Sequence, residues 1–353
     1  MKIKLALLDN DINYLNRIVS ALNTKYPDKF EIYSFTIADS AINNLILKKI
    51  DVFIANVCFE IDIADIPAEC GFAYLSDNIG VDTINGQRAI SKFQKVDLIY
   101  RQILSIYSEK ATNITGFADE NGNGKIIVFS SPYGGAGTST IAAACAVHLA
   151  ASNKKVLYLN LEKFGGADNY FSAEGQFDLS DVIFALKSKK SNLAVKMESC
   201  VKQEANGVYF YSQPKMALDM MELSYSDMIQ LLNEIKISGE YEYILVDIDF
   251  SFGKEAMELY KLSRSWVWVS DGTSSGNMKT KRAYAALAVW DQNNNTRMCD
   301  RLLLVYNKYD KHSSMIEEVG DRSVGIIPYS DILKTKQVID KIAHLDIFNK
   351  IIG

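Results

Sequence analysis

Apolar and polar positions along this chain switch repeatedly between a period of two and a period near 3.6. Lys4–Leu8 is a short apolar run that closes on acidic and amide residues, Ile12–Tyr26 carries apolar residues at helical spacing, and Phe30–Ser34 alternates. Ala38–Lys48 is helical again, Val52–Ala55 is wholly apolar, Phe72–Leu75 and Ala89–Phe93 are further short strands, and Lys95–Ser108 is an amphipathic helix. A wholly apolar short run marks a strand covered on both faces, whereas a 3.6-residue stripe marks a helix with one buried side. Strands alternating with helices predict a parallel sheet with right-handed crossovers.

That rhythm stops at Ala111–Gly124, a stretch of turn and loop residues without an apolar period, which reads as a linker. It then resumes more strongly. Ile126–Phe129 is a strand, a glycine-rich turn follows, and Ser139–Ser152 is an alanine-rich helix. Val156–Leu161, Val208–Tyr211, Tyr243–Val246, Trp266–Val269 and Leu302–Tyr306 are buried-strand candidates, separated in several places by helices around Asp181–Lys187, Tyr225–Ile235 and Met278–Val289. The expected organisation is a small α/β domain over residues 1–110, a linker at 111–123, and a large doubly wound α/β domain over 124–353. Ligands of such sheets bind at the carboxyl ends of the strands.

Composition narrows the function classes. Of the 353 residues, 48% are hydrophobic and 23% charged, with a net charge of −5, so no basic field exists to hold nucleic acid. The N-terminus reaches Asp9 after five apolar residues and lacks a cleavage-site pattern, unlike a signal peptide. The five cysteines are scattered, with no CxxC pair and three histidines in the chain; reduced, buried thiols in a cytosolic protein are expected rather than a zinc or iron–sulfur site.

The strongest chemistry lies in Ser131-Pro132-Tyr133-Gly134-Gly135-Ala136-Gly137-Thr138-Ser139-Thr140, between a strand and a helix. Glycines let successive main-chain N–H groups turn inward as a nest for phosphate oxygens, and the helix that follows adds its free N–H groups and dipole. Ser139 stands where a hydroxyl would ligate Mg²⁺. A flexible turn with Ser and Thr as helix caps is the plainer alternative. Tyr243-Ile244-Leu245-Val246-Asp247-Ile248-Asp249 resembles the Walker B strand of P-loop ATPases, which implies that the acid at its end holds Mg²⁺ through water, with Asp247 the first choice and Asp249 a second acid or a cap.

This loop resembles the deviant Walker A motif of the MinD/ParA superfamily of P-loop ATPases. Pro132 stands in place of the first glycine, Tyr133 in place of the signature lysine and Thr138 in place of the P-loop lysine. The resemblance implies an ATP and Mg²⁺ site built from Gly134, Gly135, Ala136, Gly137, Thr138, Ser139 and Thr140, with Asp247 on the metal. It also implies that two positive charges are missing where transition-state charge develops, so that binding survives and fast hydrolysis does not. Asn160 and Glu162 occupy the acidic pair that in relatives ends the second strand, which makes Glu162 the candidate water-orienting carboxylate. Asn307 matches the asparagine that contacts adenine, and Ile327-Pro328-Tyr329-Ser330-Asp331 is similar to the segment that closes over the base, bringing in Pro328 and Tyr329.

The stretch Gly207–Pro214 and the order of motifs resemble the TadZ/CpaE branch, which serves tight-adherence (Flp-type) pilus assembly and carries an N-terminal receiver-like domain. Residues 1–110 fit a degraded receiver of flavodoxin-like fold, with Asp9, Asn10, Asn56, Ser76 and Lys92 at the positions of the phosphorylation pocket. An amide at position 56 cannot serve as the nucleophile that forms an acyl phosphate. The resemblance therefore implies an ATP-bound homodimer at the cytoplasmic face of the membrane or a cell pole, positioning pilus secretion and assembly proteins, with peripheral membrane association and no nucleic-acid partner. The alternative is a working ATPase that cycles on membrane or DNA and needs a substitute cation, for which Lys163, Lys254 and Lys279 stand near strand ends. The amphipathic stretch Val338–Ile352 is mixed in charge and is expected to pack as a helix. Tyr133 is expected either to cover the nucleotide or dimer face, or simply to pack.

Overall fold

A computed structural model describes residues 2–110, 124–188, 192–316, 322–330 and 334–353. The expected linker 111–123 and Asp331 of the base-closing segment lie outside the described residues. The chain forms two compact units, Met1–Gly116 with Phe184–Cys200 and Phe117–Ile183 with Val201–Gly353. A single seam at 111–123 thus leaves out a second exchange: residues 184–200 belong with the first unit.

The first unit runs β1 (Ile3–Leu8), α1 (Ile12–Lys25), β2 (Phe30–Phe35), α2 (Ala38–Lys48), β3 (Val52–Asn56), β4 (Gly71–Ser76), β5 (Thr83–Ile84), β6 (Gln87–Ser91) and α3 (Val96–Lys110). Its sheet has the order β2-β1-β3-β4-β6-β5, parallel except for the short β5–β6 pair. Apolar residues fill β1 and β3 because both faces of these central strands are covered, by Leu15, Ile18 and Leu22 of α1 on one side and Ala41 and Leu45 of α2 on the other. Asp11 starts α1 by accepting from the N–H groups of Asn13 and Tyr14 at 2.9 and 3.0 Å, the usual satisfaction of first-turn donors.

The second unit continues with β7 (Lys125–Ser130), α4 (Thr138–Ala151), β8 (Val156–Asn160) and α5 (Leu179–Ser188), the helix in which the chain passes to the first unit. There α6 (Leu193–Cys200) packs on α3, burying Val195 in the first unit's core. Glu198 accepts from Lys29 Nζ at 2.7 Å and Tyr100 Oη at 2.6 Å, and buried Lys196 donates to Ser105 Oγ at 2.9 Å. Nothing in the periodicity of 189–200 marked this exchange.

Beyond it lie β9 (Lys202–Gln203), β10 (Tyr209–Phe210), α7 (Leu218–Met221), α8 (Tyr225–Ile237), β11 (Tyr243–Asp247), α9 (Lys254–Tyr260), β12 (Ser265–Ser270), α10 (Ser274–Asn294), α11 (Met298–Arg301), β13 (Leu302–Tyr309), β14 (Ser323–Pro328), α12 (Thr335–Ile342) and α13 (Ile347–Ile352). The strand order is β14-β13-β12-β7-β11-β8-β10-β9, parallel except at β9–β10. The chain winds outward in both directions from β7, so the loop after β7 stands where the winding reverses, the usual ligand position of such sheets. The small residues of α4 let it seat deeply, with 141–146 and Leu149 buried against β7, β8 and β11. The C-terminal stretch forms two helices whose Ile339, Ile342, Phe348 and Ile351 enter that same core. No helix among the described residues is long and apolar enough to cross a membrane.

Candidate functional site: the loop after strand β7

The loop 131–137 leaves β7 and runs into α4 with Gly135 and Gly137 at φ +87° and +84°, left-handed conformations that side chains disfavour. Gly137 is also a close-approach point, because a Cβ there would lie 2.4 Å from Asn307 Nδ2. That amide donates to the Ala136 carbonyl at 2.8 Å, and Lys308 Nζ donates to the Gly135 carbonyl at 2.9 Å. Two loop carbonyls are thus held from the end of β13. Thr138, Ser139 and Thr140 form the first turn of α4 and Ala136 is buried, while Gly134 and Gly135 are exposed.

Beside the loop stand the ends of β8 and β11, whose pairing sets Asp247 opposite Asn160. Asp247 is fully buried. Its Oδ2 accepts from Tyr158 Oη at 2.7 Å and Asn160 Nδ2 at 2.9 Å, while its Oδ1 has no partner. Asn160 Nδ2 also donates to Glu162 Oε2 at 3.0 Å, and Ser139 Oγ donates to the same oxygen at 3.1 Å. Burial, then the nearby Glu162 charge, drives the Asp247 carboxyl up to about 7, against the hydrogen bonds from Tyr158 and Asn160 that favour the carboxylate. Gly165 lets the following turn close over these groups, since a Cβ there would meet Glu162 Oε2 at 2.2 Å. Asp249 accepts from the Lys163 N–H at 2.9 Å and so braces that turn.

Ser139, Asp247 and Glu162 form an oxygen-only donor set with one orphaned buried oxygen, which fits a hard divalent cation such as Mg²⁺. Two carboxylates and a hydroxyl are too few for an all-protein cage, and no group of three or more metal-ligating His, Cys, Asp or Glu residues exists among the described residues. Mg²⁺ shared with substrate phosphates and waters suits this sparse set.

Tyr133 turns inward. Its Oη lies 2.9 Å from Ser270 Oγ, donates to Asp271 Oδ1 at 2.9 Å and accepts from the Asp271 N–H at 2.8 Å. Lys279 Nζ stands 5.6 Å from the Tyr133 ring centroid, a cation–π distance. Of the two expectations for this side chain, the structure places it in the packed one, with the ring half-buried against the core. Pro328 ends β14 and Tyr329 follows it, 62% exposed; Asn307 is spent on the loop carbonyl.

In the first unit, Asp9, Asn56 and Lys92 converge at the ends of β1, β3 and β6. Asn56 Nδ2 donates to Asp9 Oδ2 at 2.9 Å, and Lys92 Nζ lies 2.6 Å from that oxygen and 3.0 Å from Asp77 Oδ1. Ser76 is buried beside them, its Oγ accepting from the Asn78 N–H, whereas Asn10 is exposed and outside the cluster. Asp11 is spent as the α1 cap. Burial alone would lower the Lys92 pKa, yet the hydrogen bonds and charges of Asp9 and Asp77 hold it above the ordinary value.

The sequence reading did not single out Tyr158, Asp271 or Lys308. Tyr158 sits at an ordinary apolar strand position, and Lys308 directly follows Asn307, where strand alternation predicts the opposite face.

Residues 1–108 match the family described as TadZ-like, receiver domain. No curated protein matches the chain. Among solved structures, the chain is similar to a ParA family ATPase from Chlorobium tepidum TLS, with 17% identity, 65% of this chain and 97% of that chain covered, and a TM-score of 0.53. It is also similar to the MinC:MinD cell division protein complex of Aquifex aeolicus, with 20% identity, 65% and 96% covered, and a TM-score of 0.49. Residues 1–108 are therefore similar to the TadZ-like receiver domain, and about two thirds of the chain shares its fold with the ParA family ATPase from Chlorobium tepidum TLS.

Proposed function

We propose that this protein is an ATP-binding localisation and assembly factor for tight-adherence (Flp-type) pilus biogenesis, acting as a nucleotide-bound homodimer at the inner face of the cell membrane or a cell pole. The observation that carries this reading is a phosphate loop with its turn geometry intact and neither lysine in place. Position 133 holds a tyrosine tied to Ser270 and Asp271, and position 138 holds a threonine in the first turn of α4. The N–H groups of 134–140 would cradle the phosphates, and Asn307, Pro328 and Tyr329 would border the base. Ser139 and Asp247 would hold Mg²⁺, which when bound neutralises phosphate charge; Glu162 would orient water beside it. A lost donor to developing charge costs roughly 10²–10³ in rate, so hydrolysis is weak or absent.

The pilus role rests on the TadZ-like receiver match at residues 1–108. The receiver itself is read as a docking element: position 56 is an amide engaged with Asp9 and the Cys58 N–H. An active ATPase that cycles on membrane or DNA is the second reading, favoured by the retained Glu162 carboxylate near Ser139. Calorimetric titration of the purified full chain with Mg·ATP, paired with phosphate-release kinetics, separates the two. Tight binding with turnover near background supports the positioning role, and turnover of about one per second or faster overturns it. An absence of binding at millimolar Mg·ATP removes the nucleotide assignment altogether.

A further inference from the structure

We propose that Lys308 is the cation of the phosphate loop, reaching it from the end of β13 in place of the lysines missing at positions 133 and 138. Its Nζ already lies within the loop, 2.9 Å from the Gly135 carbonyl. Getting it there requires a departure from strand geometry. Successive side chains of a strand point to opposite faces, yet Asn307 and Lys308 both reach the same loop, at Ala136 and Gly135. The alternation is broken because Lys308 takes φ +54° and the β13–β14 register shifts between Tyr306 and Tyr309. A lysine in the left-handed region is uncommon and costs conformational free energy, so the neighbouring contacts hold it there. Gly137 completes the arrangement, since a Cβ would stand 2.4 Å from Asn307 Nδ2 and 3.4 Å from Lys308 Cε.

The competing lysines are placed otherwise. Lys279 stands over the Tyr133 ring, and among the described residues neither Lys163 nor Lys254 makes a side-chain hydrogen bond to the loop, whereas Lys308 does. An ammonium has three donors on a flexible stem, so Lys308 holds Gly135 with one and offers the others to phosphate oxygens. A separate feature of the same site also looks for a charged ligand: the orphaned Oδ1 of fully buried Asp247.

This inference rests on the nucleotide reading, and the test keeps the two apart. The full chain, Lys308→Ala and the double variant Lys308→Ala with Thr138→Lys are titrated calorimetrically with Mg·ATP, ADP and AMP. The assignment expects Lys308→Ala to lose about tenfold or more in Mg·ATP affinity, with the loss shrinking from ATP to ADP to AMP, and the double variant to regain most of it. Wild-type protein that fails to bind Mg·ATP overturns the nucleotide reading and this role with it. Wild-type protein that binds, with Lys308→Ala within about twofold, overturns the role alone. An equal loss for all three nucleotides also overturns it, since a brace for the loop does not count phosphates. Intrinsic tryptophan fluorescence, which comes wholly from the second unit, checks that each variant is folded.

Discussion

Asp247 is a carboxylate whose burial works against the fold. It is fully buried, one oxygen is unpartnered, and its carboxyl is held near 7 by burial and by Glu162. The unfolded chain titrates such a group at about 3.9, so between pH 4 and 7 the folded state holds a proton that the unfolded state has released. Stability from this group therefore falls as pH rises through that window and is flat above it. At about 1.4 kcal/mol per pH unit, the ionised carboxyl costs on the order of 4 kcal/mol at pH 8.5 and roughly half that at pH 5.5. Asp247→Asn retains the shape and an acceptor for Tyr158 and Asn160 while removing the charge. The expected result, in metal-free buffer, is a variant more stable than wild type by up to about 4 kcal/mol at pH 8.5, with a smaller gain at pH 5.5. Urea unfolding followed by tryptophan fluorescence reads this cleanly, because Trp266, Trp268 and Trp290 are the chain's only tryptophans and all lie in the second unit. Adding Mg·ATP should stabilise wild type and not the variant. A variant less stable than wild type at pH 8.5 without metal would refute the reasoning, because the hydrogen bonds would then outweigh the cost of burying the charge.

Three further outcomes follow from the same contacts. Tyr133→Phe strands the part-buried Asp271 N–H and should cost about 1–3 kcal/mol in the same fluorescence assay; no change would mean that the Tyr133 contacts are not structural. Lys92→Met leaves the Asp9 carboxylate buried without its cation, and a loss of about 3–5 kcal/mol is expected, measured on the first unit by amide hydrogen exchange of β1 and β3. Incubation with acetyl phosphate and Mg²⁺ should leave position 56 unmodified by peptide mass spectrometry, and a phosphorylated Asn56 peptide would sink the docking-element reading of the receiver.

Much of this architecture was legible because its strands are wholly apolar. β1, β3, β7, β8, β11 and β12 are the central runs covered on both faces, and each was placed within a residue or two. Among the edge strands, β2 follows its alternating run Phe30–Ser34 to within a residue, whereas β5, β9 and β14 have no counterpart in the pattern. β9 and β10 are two residues each, and Val208–Tyr211 looked like a longer strand because its apolar residues serve packing beyond the ladder. The site divides in the same way. Glycines and strand-end acids announce themselves, so the Gly134–Gly137 turn, Ser139 and Asp247 were visible. Tyr158 was hidden because a buried phenol reads as one more apolar strand residue until its Oη is seen on Asp247. Lys308 was hidden because strand alternation places it away from Asn307, and only the left-handed turn at that residue brings both to the loop. The role of α6 was illegible for a different reason: its partner surface on α3 lies about 90 residues earlier, a separation that local periodicity does not encode.

The exchange at α6 makes the order of synthesis matter. When residues 1–110 leave the ribosome, the side of α3 carrying Tyr100 and Ser105 lacks the cover that Glu198, Lys196 and Val195 later bring. At about 5–20 residues per second, that side stays bare for several seconds while the loop after β7 and the strand bearing Asn160 are made. Closing the nascent receiver thus waits on translation of about a third of the neighbouring unit, and a chain cut short before residue 193 leaves that side of α3 open to chaperones and proteases.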